Sequence, residues 1–197
     1  MSTGILILAA GSASRMQQPK MLLPFGKGSI LSHLLEETKA LQPKAICVVT
    51  GYYHTAMLPL LQTEPIWVVY NEDWKAGMAG SIKTGLSALL KQQPILDSVV
   101  ILVSDQPFIT RALLQEMIQT HETSGKGIVA AFYNGIKGTP VLFSKKYFQH
   151  LQELQGDKGA KSILQLVPDD IATVDFAEGE MDIDTPEDYE RFCAHFK

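Results

Sequence analysis

The sequence predicts an α/β fold of three layers, a mostly parallel sheet with helices on both faces. Three observations predict it. Short apolar runs alternate with longer amphipathic stretches, the pattern of a parallel sheet covered on both sides. The runs are apolar at nearly every position rather than at every second one, as strands buried on both faces are. No repeat, low-complexity tract or linker interrupts the 197 residues, so the chain reads as a single domain over 1–197.

The elements follow in order. Residues 5–10, ILILAA, end at Gly11 and are too short for a core helix, so they form the first strand. Residues 45–50, 66–70, 98–104 and 127–132 repeat the pattern. Between them, residues 30–41 place Ile30, Leu31, Leu34, Leu35, Thr38 and Leu41 on one helical stripe, and residues 79–90 do the same with Ile82, Leu86, Leu89 and Leu90. Thr110 caps a helix running to about residue 123. Residues 138–143 make a further strand, whose Pro140 suggests a strand start or a sheet edge. Helical stretches at 145–154 and 160–166 and a strand at 171–176 follow. The last helix opens with Thr185 as N-cap, Pro186 at the first helical position and Asp188 closing a capping-box variant. Parallel strands need crossovers, and such sheets bind ligands beyond the carboxyl ends of their strands. The stretches after Ala10, Tyr70 and Ser104 should therefore face one crevice.

Composition excludes several function classes. Apolar residues at 46% and charged residues at 19% argue against disorder. A chain this long buries roughly 70% of its surface and needs no covalent staples. The net charge of −4 gives no reason to expect nucleic acid or an anionic membrane as partner. Two cysteines are too few for a disulfide scaffold or a zinc cluster, and Cys47, inside an apolar run, reads as a buried free thiol. No run approaches the ~18 apolar residues of a membrane span. The sequence opens on a strand-like segment without a basic leader, which makes the cytoplasm the expected location.

Four stretches carry candidate chemistry. In residues 8–20, Leu8, Ala9, Ala10 and Gly11 end a buried strand and lead through Ser12 and Ser14 to Arg15 and Lys20. Small residues let backbone N–H groups approach an anion, and two cations suit a polyphosphate; the plainer reading is a polar loop with solvated cations. Asp105, in Ser104-Asp105-Gln106-Pro107, sits where a carboxylate must be exposed, paired or bound to metal; the crevice favours Mg²⁺, and the alternative is a turn residue. Asp182 and Asp184 alternate before a helix start, as metal ligands or as helix-start chemistry. Gly77-Met78-Ala79-Gly80-Ser81-Ile82 opens a helix, where Gly80 and Ser81 contact a nucleotide base or simply cap the turn.

Other signatures are missing. Met21 stands where a Walker A needs its first glycine, and Ala13 where a dinucleotide fingerprint needs its second. Gly125-Lys126-Gly127-Ile128-Val129-Ala130 fits G-x-G-x-x-A but leads into a strand, so it is a turn. There is no G-x-S-x-G elbow, and His33, His54, His121, His150 and His195 are scattered surface or helix residues without metal spacing.

Taken together, these stretches resemble nucleotidyltransferases whose first loop reads L-A-[AG]-G-x-S-x-R-M-x-x-x-K. Within that superfamily they are most similar to the molybdenum cofactor cytidylyltransferases. The resemblance spans nearly the whole chain: Leu22-Leu23-Pro24, Asp105-Gln106-Pro107, the strand at 138–143, Gly156-Asp157-Lys158-Gly159-Ala160-Lys161 and Asp182-Ile183-Asp184-Thr185-Pro186. It implies a Rossmann-like nucleotidyltransferase fold, with residues 1–110 mainly nucleotide-binding and 111–197 mainly acceptor-binding. It also implies a reaction, CTP plus molybdenum-bound molybdopterin giving molybdopterin cytosine dinucleotide and pyrophosphate, with Mg²⁺ as cofactor. The catalytic residues would be Arg15, Lys20 and Asp105. Leu8, Ala9, Ala10 and Gly11 would hold base and ribose, Arg15 and Lys20 the triphosphate, and Gly80 and Ser81 the rest of the base pocket. Asp105 and Asp184, with Asp182 as the alternative, would hold the metal. Ala10 tilts toward CTP, because the family's guanylyltransferases have glycine there and a methyl group crowds a purine. A client molybdoenzyme or its chaperone is a further candidate partner.

The chain departs from the family pattern at Gln17, where glycine is usual, and at Thr139, where histidine is usual. The competing readings are a guanylyltransferase, an enzyme acting on a phospho-lactate or sugar phosphate, and a non-catalytic carrier of the molybdenum cofactor. A pure carrier has no need for Arg15, Lys20, Asp105 and Asp184 together.

Overall fold

The computed structural model describes residues 1–12, 18–157, 159–181, 183 and 185–195. In chain order it contains β1 (Thr3–Ala9), β2 (Pro24–Phe25), β3 (Gly28–Ser29), α1 (Ile30–Ala40), β4 (Ala45–Thr50), α2 (His54–Leu61), β5 (Trp67–Tyr70) and α3 (Met78–Gln92). There follow β6 (Ser98–Val103), α4 (Arg111–Ser124), β7 (Ile128–Tyr133), β8 (Ile136–Ser144), α5 (Phe148–Gln152), α6 (Lys161–Leu166), β9 (Ile171–Asp175) and α7 (Pro186–His195).

Seven strands form one sheet in the order β5-β4-β1-β6-β8-β7-β9, and β2 and β3 pair as a separate small hairpin. β1, β4, β5 and β6 run parallel, and β9 runs parallel to β7, whereas β8 is antiparallel to both its neighbours. All seven residues of β1 are buried, which explains its unbroken apolar run. Ile5, Ile7 and Ala9 pack against α1, α2 and α4 through Leu31, Leu35, Met57 and Leu114. Leu6 and Leu8 face the other side, where Ile82, Leu86, Leu151 and Ile163 bring α3, α5 and α6 onto the sheet. The three layers expected from the sequence are therefore present. Each fully buried Leu or Ile contributes about 1.5–3 kcal/mol through burial, so the two apolar faces hold the strand ends in a rigid frame.

Local signals mostly fold as read. The buried face of α1 is Ile30, Leu31, Leu34, Leu35 and Thr38, the expected stripe without Leu41, which caps the helix end. The Thr110 side chain accepts a hydrogen bond from Leu113 N–H at 3.2 Å and starts α4. At the head of α7, Asp188 N–H donates to Thr185 Oγ1 at 3.1 Å, and Thr185 N–H donates to Asp188 Oδ2 at 2.9 Å, a complete capping box. Gly125 takes the left-handed conformation after α4, so the G-x-G-x-x-A match is a helix stop. The helical stretch at 145–154 divides into a 3-10 turn over Lys145–Tyr147 and the short α5. Among the described residues no helix is long and apolar enough to cross a membrane.

One expectation is corrected. β8 is neither an edge strand nor does it begin at its proline, for it lies between β6 and β7. Its register against β7 jumps from Ala130↔Val141 to Ala131↔Gly138, so Thr139 and Pro140 have no partner in that ladder. Pairing with β6 ends at Ile101↔Val141. The bulge removes the need for the N–H that proline lacks, so an interior strand tolerates it.

The chain steps from β1 through β4 to β5 on one side, then returns to place β6 on the other side of β1. The carboxyl ends of β1 and β6 thus flank the point where strand order reverses, the position at which open sheets bind ligands.

Candidate active site

A cavity of about 500 Å³ opens at this switch point, within the 300–1,000 Å³ typical of small-molecule sites. The segments after β1, β5 and β6 all reach it: Gly11 and Ser12, Trp74 and Lys75, and Ser104 and Asp105. The expected convergence on one crevice is therefore what the molecule shows. Leu8, Ala10, Gly11, Lys20, Ser81 and Asp105, six of the residues singled out in the sequence, line this cavity. Ala9 and Gly80 do not: the Ala9 side chain packs into the core under α1, and Gly80 lies beside Asn71. Arg15, Asp182 and Asp184 lie outside the described residues.

The charged centre is a pair. Lys20 Nζ lies 2.7 Å from Asp105 Oδ2, with the two side chains 12% and 26% exposed. Lys20 is brought there by a 3-10 turn, Lys20–Leu22, anchored by buried Met21. Asp105 lies two residues beyond β6, and the intervening Ser104 N–H donates to Leu8 O at 3.1 Å, which fixes the carboxylate turn to the end of β1. Gln106 is buried, and its Nε2 donates to Gly179 O at 3.0 Å, tying the same turn to the segment that precedes Asp182. The other amide oxygen, Gln106 Oε1, is buried without a partner among the described residues.

Close approach shapes the neighbouring wall. A Cβ on Gly51 would meet the carbonyl oxygen and Cα of Ala10 and the Cβ of Trp74, so only glycine lets the β4 end and Trp74 close against the first loop. Tyr52 N–H donates to Ala10 O at 3.2 Å across this contact. At the amino end of α3, Ser81 is buried and accepts from Asn71 Nδ2 at 3.0 Å, which orients the first turn of the helix toward the cavity. Sequence reasoning gave no site role to Trp74, Lys75 or Asp157, although the resemblance includes Asp157 in the motif at 156–161; all three line this space. Lys75 Nζ stands 5.4 Å from the Trp74 ring centroid. The crevice rule predicts the region of Trp74 and Lys75, but no spacing marks the individual residues. Asp157 arrives only because its loop docks on α3.

A second cavity of about 280 Å³ adjoins the first and shares Leu8, Met78, Val103 and Asp157 with it. Its floor is apolar, from Ile82, Ile101, Val141 and Leu164, and Lys137, Thr139 and Lys161 supply polar groups. Thr139, the departure from the family pattern, thus faces this second space.

The donor set suits a hard divalent cation. No group of three or more His, Cys, Asp or Glu side chains gathers at one point among the described residues. Asp105 offers one carboxylate beside a cavity large enough for a triphosphate, the arrangement in which Mg²⁺ or Mn²⁺ takes one or two carboxylates and completes its shell with phosphate oxygens and water. Lys20 is the cation that such an ion would displace from Asp105, and it would then be released toward phosphate.

Outside the cavity, burial pushes the Cys47 thiol up to about 12, as expected of an inert core cysteine. Asp170 is raised by burial, but hydrogen bonds from Lys146, Tyr147 and Gly127 N–H and attraction to Lys146 outweigh this and hold it at about 2. That cluster joins β7, β9 and the turn before α5 and is structural.

Known proteins resemble this chain in sequence and fold. The molybdenum cofactor cytidylyltransferase of Escherichia coli is 29% identical over 188 residues, covering 93% of this chain and 92% of that protein. The bifunctional protein GlmU of Francisella tularensis is 28% identical over 165 residues, 83% of this chain, which spans only 35% of GlmU's length. The crystal structure of Rv0371c from Mycobacterium tuberculosis superposes with a TM-score of 0.85 at 26% identity, covering 98% of this chain and 99% of that one. A manganese complex of the same mycobacterial protein superposes at 0.74, with 25% identity and 97% of each chain covered. Residues 5–173 match the profile of the MobA-like NTP transferase domain. With the switch-point cavity, the Lys20–Asp105 pair and that match over most of its length, the chain belongs to the MobA-like NTP transferase family.

Proposed function

We propose that this nucleotidyltransferase moves CMP from CTP onto the phosphate of molybdenum-bound molybdopterin, forming molybdopterin cytosine dinucleotide and pyrophosphate. The observation that carries the reading is the joining of two cavities at the switch point. One holds the Gly11 turn, Lys20 and Asp105. The other is a mostly apolar space with Lys137 and Lys161 at its wall. The first suits a nucleoside triphosphate. The second suits a flat heterocycle with anionic substituents better than a hydroxyl-rich sugar, which needs many side-chain hydrogen bonds.

In this reading Leu8, Ala10 and Gly11 hold base and ribose, and Ser81 completes the base pocket. Ala9 and Gly80 support these contacts from behind, through backbone position. Arg15 and Lys20 bind the triphosphate. Asp105 holds Mg²⁺ with Asp184 or Asp182, and the Gln106–Gly179 hydrogen bond, which ties the preceding segment to the Asp105 turn, supports that second carboxylate. When bound, the ion neutralises phosphate charge and fixes the triphosphate's orientation. An acceptor phosphate oxygen attacks the α-phosphorus in line, its new P–O bond forming as the bond to the bridging α–β oxygen breaks and pyrophosphate leaves. The acceptor is already anionic, so no strong base is required. Positioning and charge stabilisation by Lys20 and Arg15 do the remaining work. The Ala10 methyl group at the cavity wall favours cytosine over a purine. The E. coli relative's name supports the same base and acceptor.

Thr139 favours one second reading, a related phosphorylated acceptor, because it replaces the family's usual histidine on the acceptor-side cavity. A pyrophosphate-release assay comparing CTP with GTP, and molybdenum-loaded molybdopterin with a sugar phosphate and a phospho-lactate, tests the proposal. CTP-dependent release is expected. Release only with GTP, or only with a sugar phosphate or phospho-lactate, overturns the base or the acceptor respectively, and tight cofactor binding without any release returns the carrier.

A further inference from the structure

Asp157 stands out in the wall shared by the two cavities. Of the four shared residues, Leu8, Met78, Val103 and Asp157, it alone carries a charge. Its carboxylate has no hydrogen-bonding or ion-pair partner among the described residues. Helix capping does not occupy it either: Ala79 N–H at the start of α3 donates to the Gly156 carbonyl at 3.1 Å, leaving the neighbouring carboxylate free.

The loop that carries Asp157 is nevertheless held tightly. Gly77 has φ +103°, and the place where its Cβ would stand is filled by Asp157 Oδ1 and the carbonyl of Gly156. Gly159, at φ +53°, closes against the Met78 sulfur. The carboxylate is therefore fixed beside Gly77 at the start of α3, one helical turn from Ser81. In the proposed reading Ser81 belongs to the base pocket, and Lys20 and Asp105 serve the triphosphate and its metal.

A free carboxylate beside a triphosphate would repel it. At the α3 end it needs a ligand that offers N–H or O–H donors. Ser81, a hydroxyl in the first turn of α3 on the same cavity, already accepts from Asn71. Of the parts of a pyrimidine nucleotide, the exocyclic amine of cytosine is such a donor, whereas uracil presents a carbonyl oxygen at the same position. We infer that Asp157 is a specificity-determining residue that accepts a hydrogen bond from the cytosine amine and rejects uracil. This rests on the CTP reading of the cavity and extends it from size selection at Ala10 to hydrogen-bond selection. Sites built to pair a polar group discriminate far more strongly than sites that only fit its shape.

The test is calorimetric titration of the full chain, with Mg²⁺ present, using CTP, UTP and 2′-deoxy-CTP, on wild type, Asp157→Asn and Asp157→Ala. Wild type is expected to prefer CTP over UTP. Asp157→Asn, whose amide can donate to uracil, should reduce the CTP/UTP affinity ratio by at least about tenfold. Asp157→Ala should weaken CTP without strengthening UTP. A purely structural role for the loop would weaken all three nucleotides alike and leave the ratio unchanged, which overturns the inference. A 2′-deoxy penalty that disappears in Asp157→Asn would assign the carboxylate to the ribose and overturn it as well. So would nucleotide affinities that neither substitution changes. These readouts involve binding alone, so a wild type that shows the Asp157-dependent ratio but releases no pyrophosphate would refute the transfer reaction while leaving the base contact standing.

Discussion

Gly77→Ala tests whether the docking of the Gly156–Asp157 loop on α3 is built as described. Gly77 has φ +103° and ψ 178°, a backbone region open almost only to glycine. Forcing alanine into it costs about 1–3 kcal/mol. The added Cβ would also lie 2.7 Å from the carbonyl carbon and oxygen of Gly156. These are backbone atoms, so no side-chain rotation relieves the overlap and the loop must shift. The shift forfeits the Ala79 N–H···O hydrogen bond to Gly156, worth about 1 kcal/mol. The expected loss is therefore about 2–4 kcal/mol, or a fall in Tm of about 4–16 °C for a chain of this size. Urea denaturation followed by far-UV circular dichroism measures it, with an unchanged m-value showing that both end states keep their compactness. A Gly77→Ala protein within about 0.5 kcal/mol of wild type would mean that the loop is not clamped, and the fixed position of Asp157 would fall with it.

Lys20→Ala should reduce turnover about 10²–10³-fold, as loss of a charge-stabilising group at a reacting centre does, while thermal unfolding shows a folded protein; near-normal turnover would remove Lys20 from the chemistry. Native protein at pH 8 should leave Cys47 unmodified by an aromatic disulfide reagent, because burial holds its thiol near 12; two rapid equivalents in the native state would contradict the packing. Asp170 is held at about 2, below its ordinary 3.8. The unfolded chain therefore takes up its proton first, and the stabilisation is complete above about 3.8 and disappears as pH falls through about 2. Discounted for screening of its partly exposed ion pair, it amounts to about 1–2 kcal/mol. The stability gap between wild type and Asp170→Asn should shrink between pH 7 and pH 2, and a constant gap would refute the assignment.

Much of the fold was legible because burial writes directly into pattern. β1 is apolar at every position from Ile5 to Ala9 since both its faces are covered, and Leu31, Leu34 and Leu35 of the α1 stripe are side chains that meet the sheet. α2 escaped notice because only Met57 and Leu61 are buried, a single i, i+4 pair, and Pro59 sits inside the helix. The β2–β3 hairpin is two residues a side, too short for any periodicity. Pro140 was misplaced because a bulge depends on the register of the partner strand, which no local pattern records. At the site, Gly11, Lys20 and Asp105 were legible because small residues, cations and a carboxylate follow strand ends. The place of Asp157 at the cavity was not, although its motif carried part of the resemblance, because it arrives through a loop from the far half of the chain whose seat is the missing Cβ of Gly77.

The account depends on Asp105 and the Gly11 turn serving one metal-bound triphosphate. Calorimetric titration of CTP with and without Mg²⁺, on wild type and Asp105→Ala, tests this most directly. Wild type should bind CTP more tightly with Mg²⁺ than with EDTA, and Asp105→Ala should erase that difference while remaining folded. An equally large Mg²⁺ effect in Asp105→Ala would contradict the account.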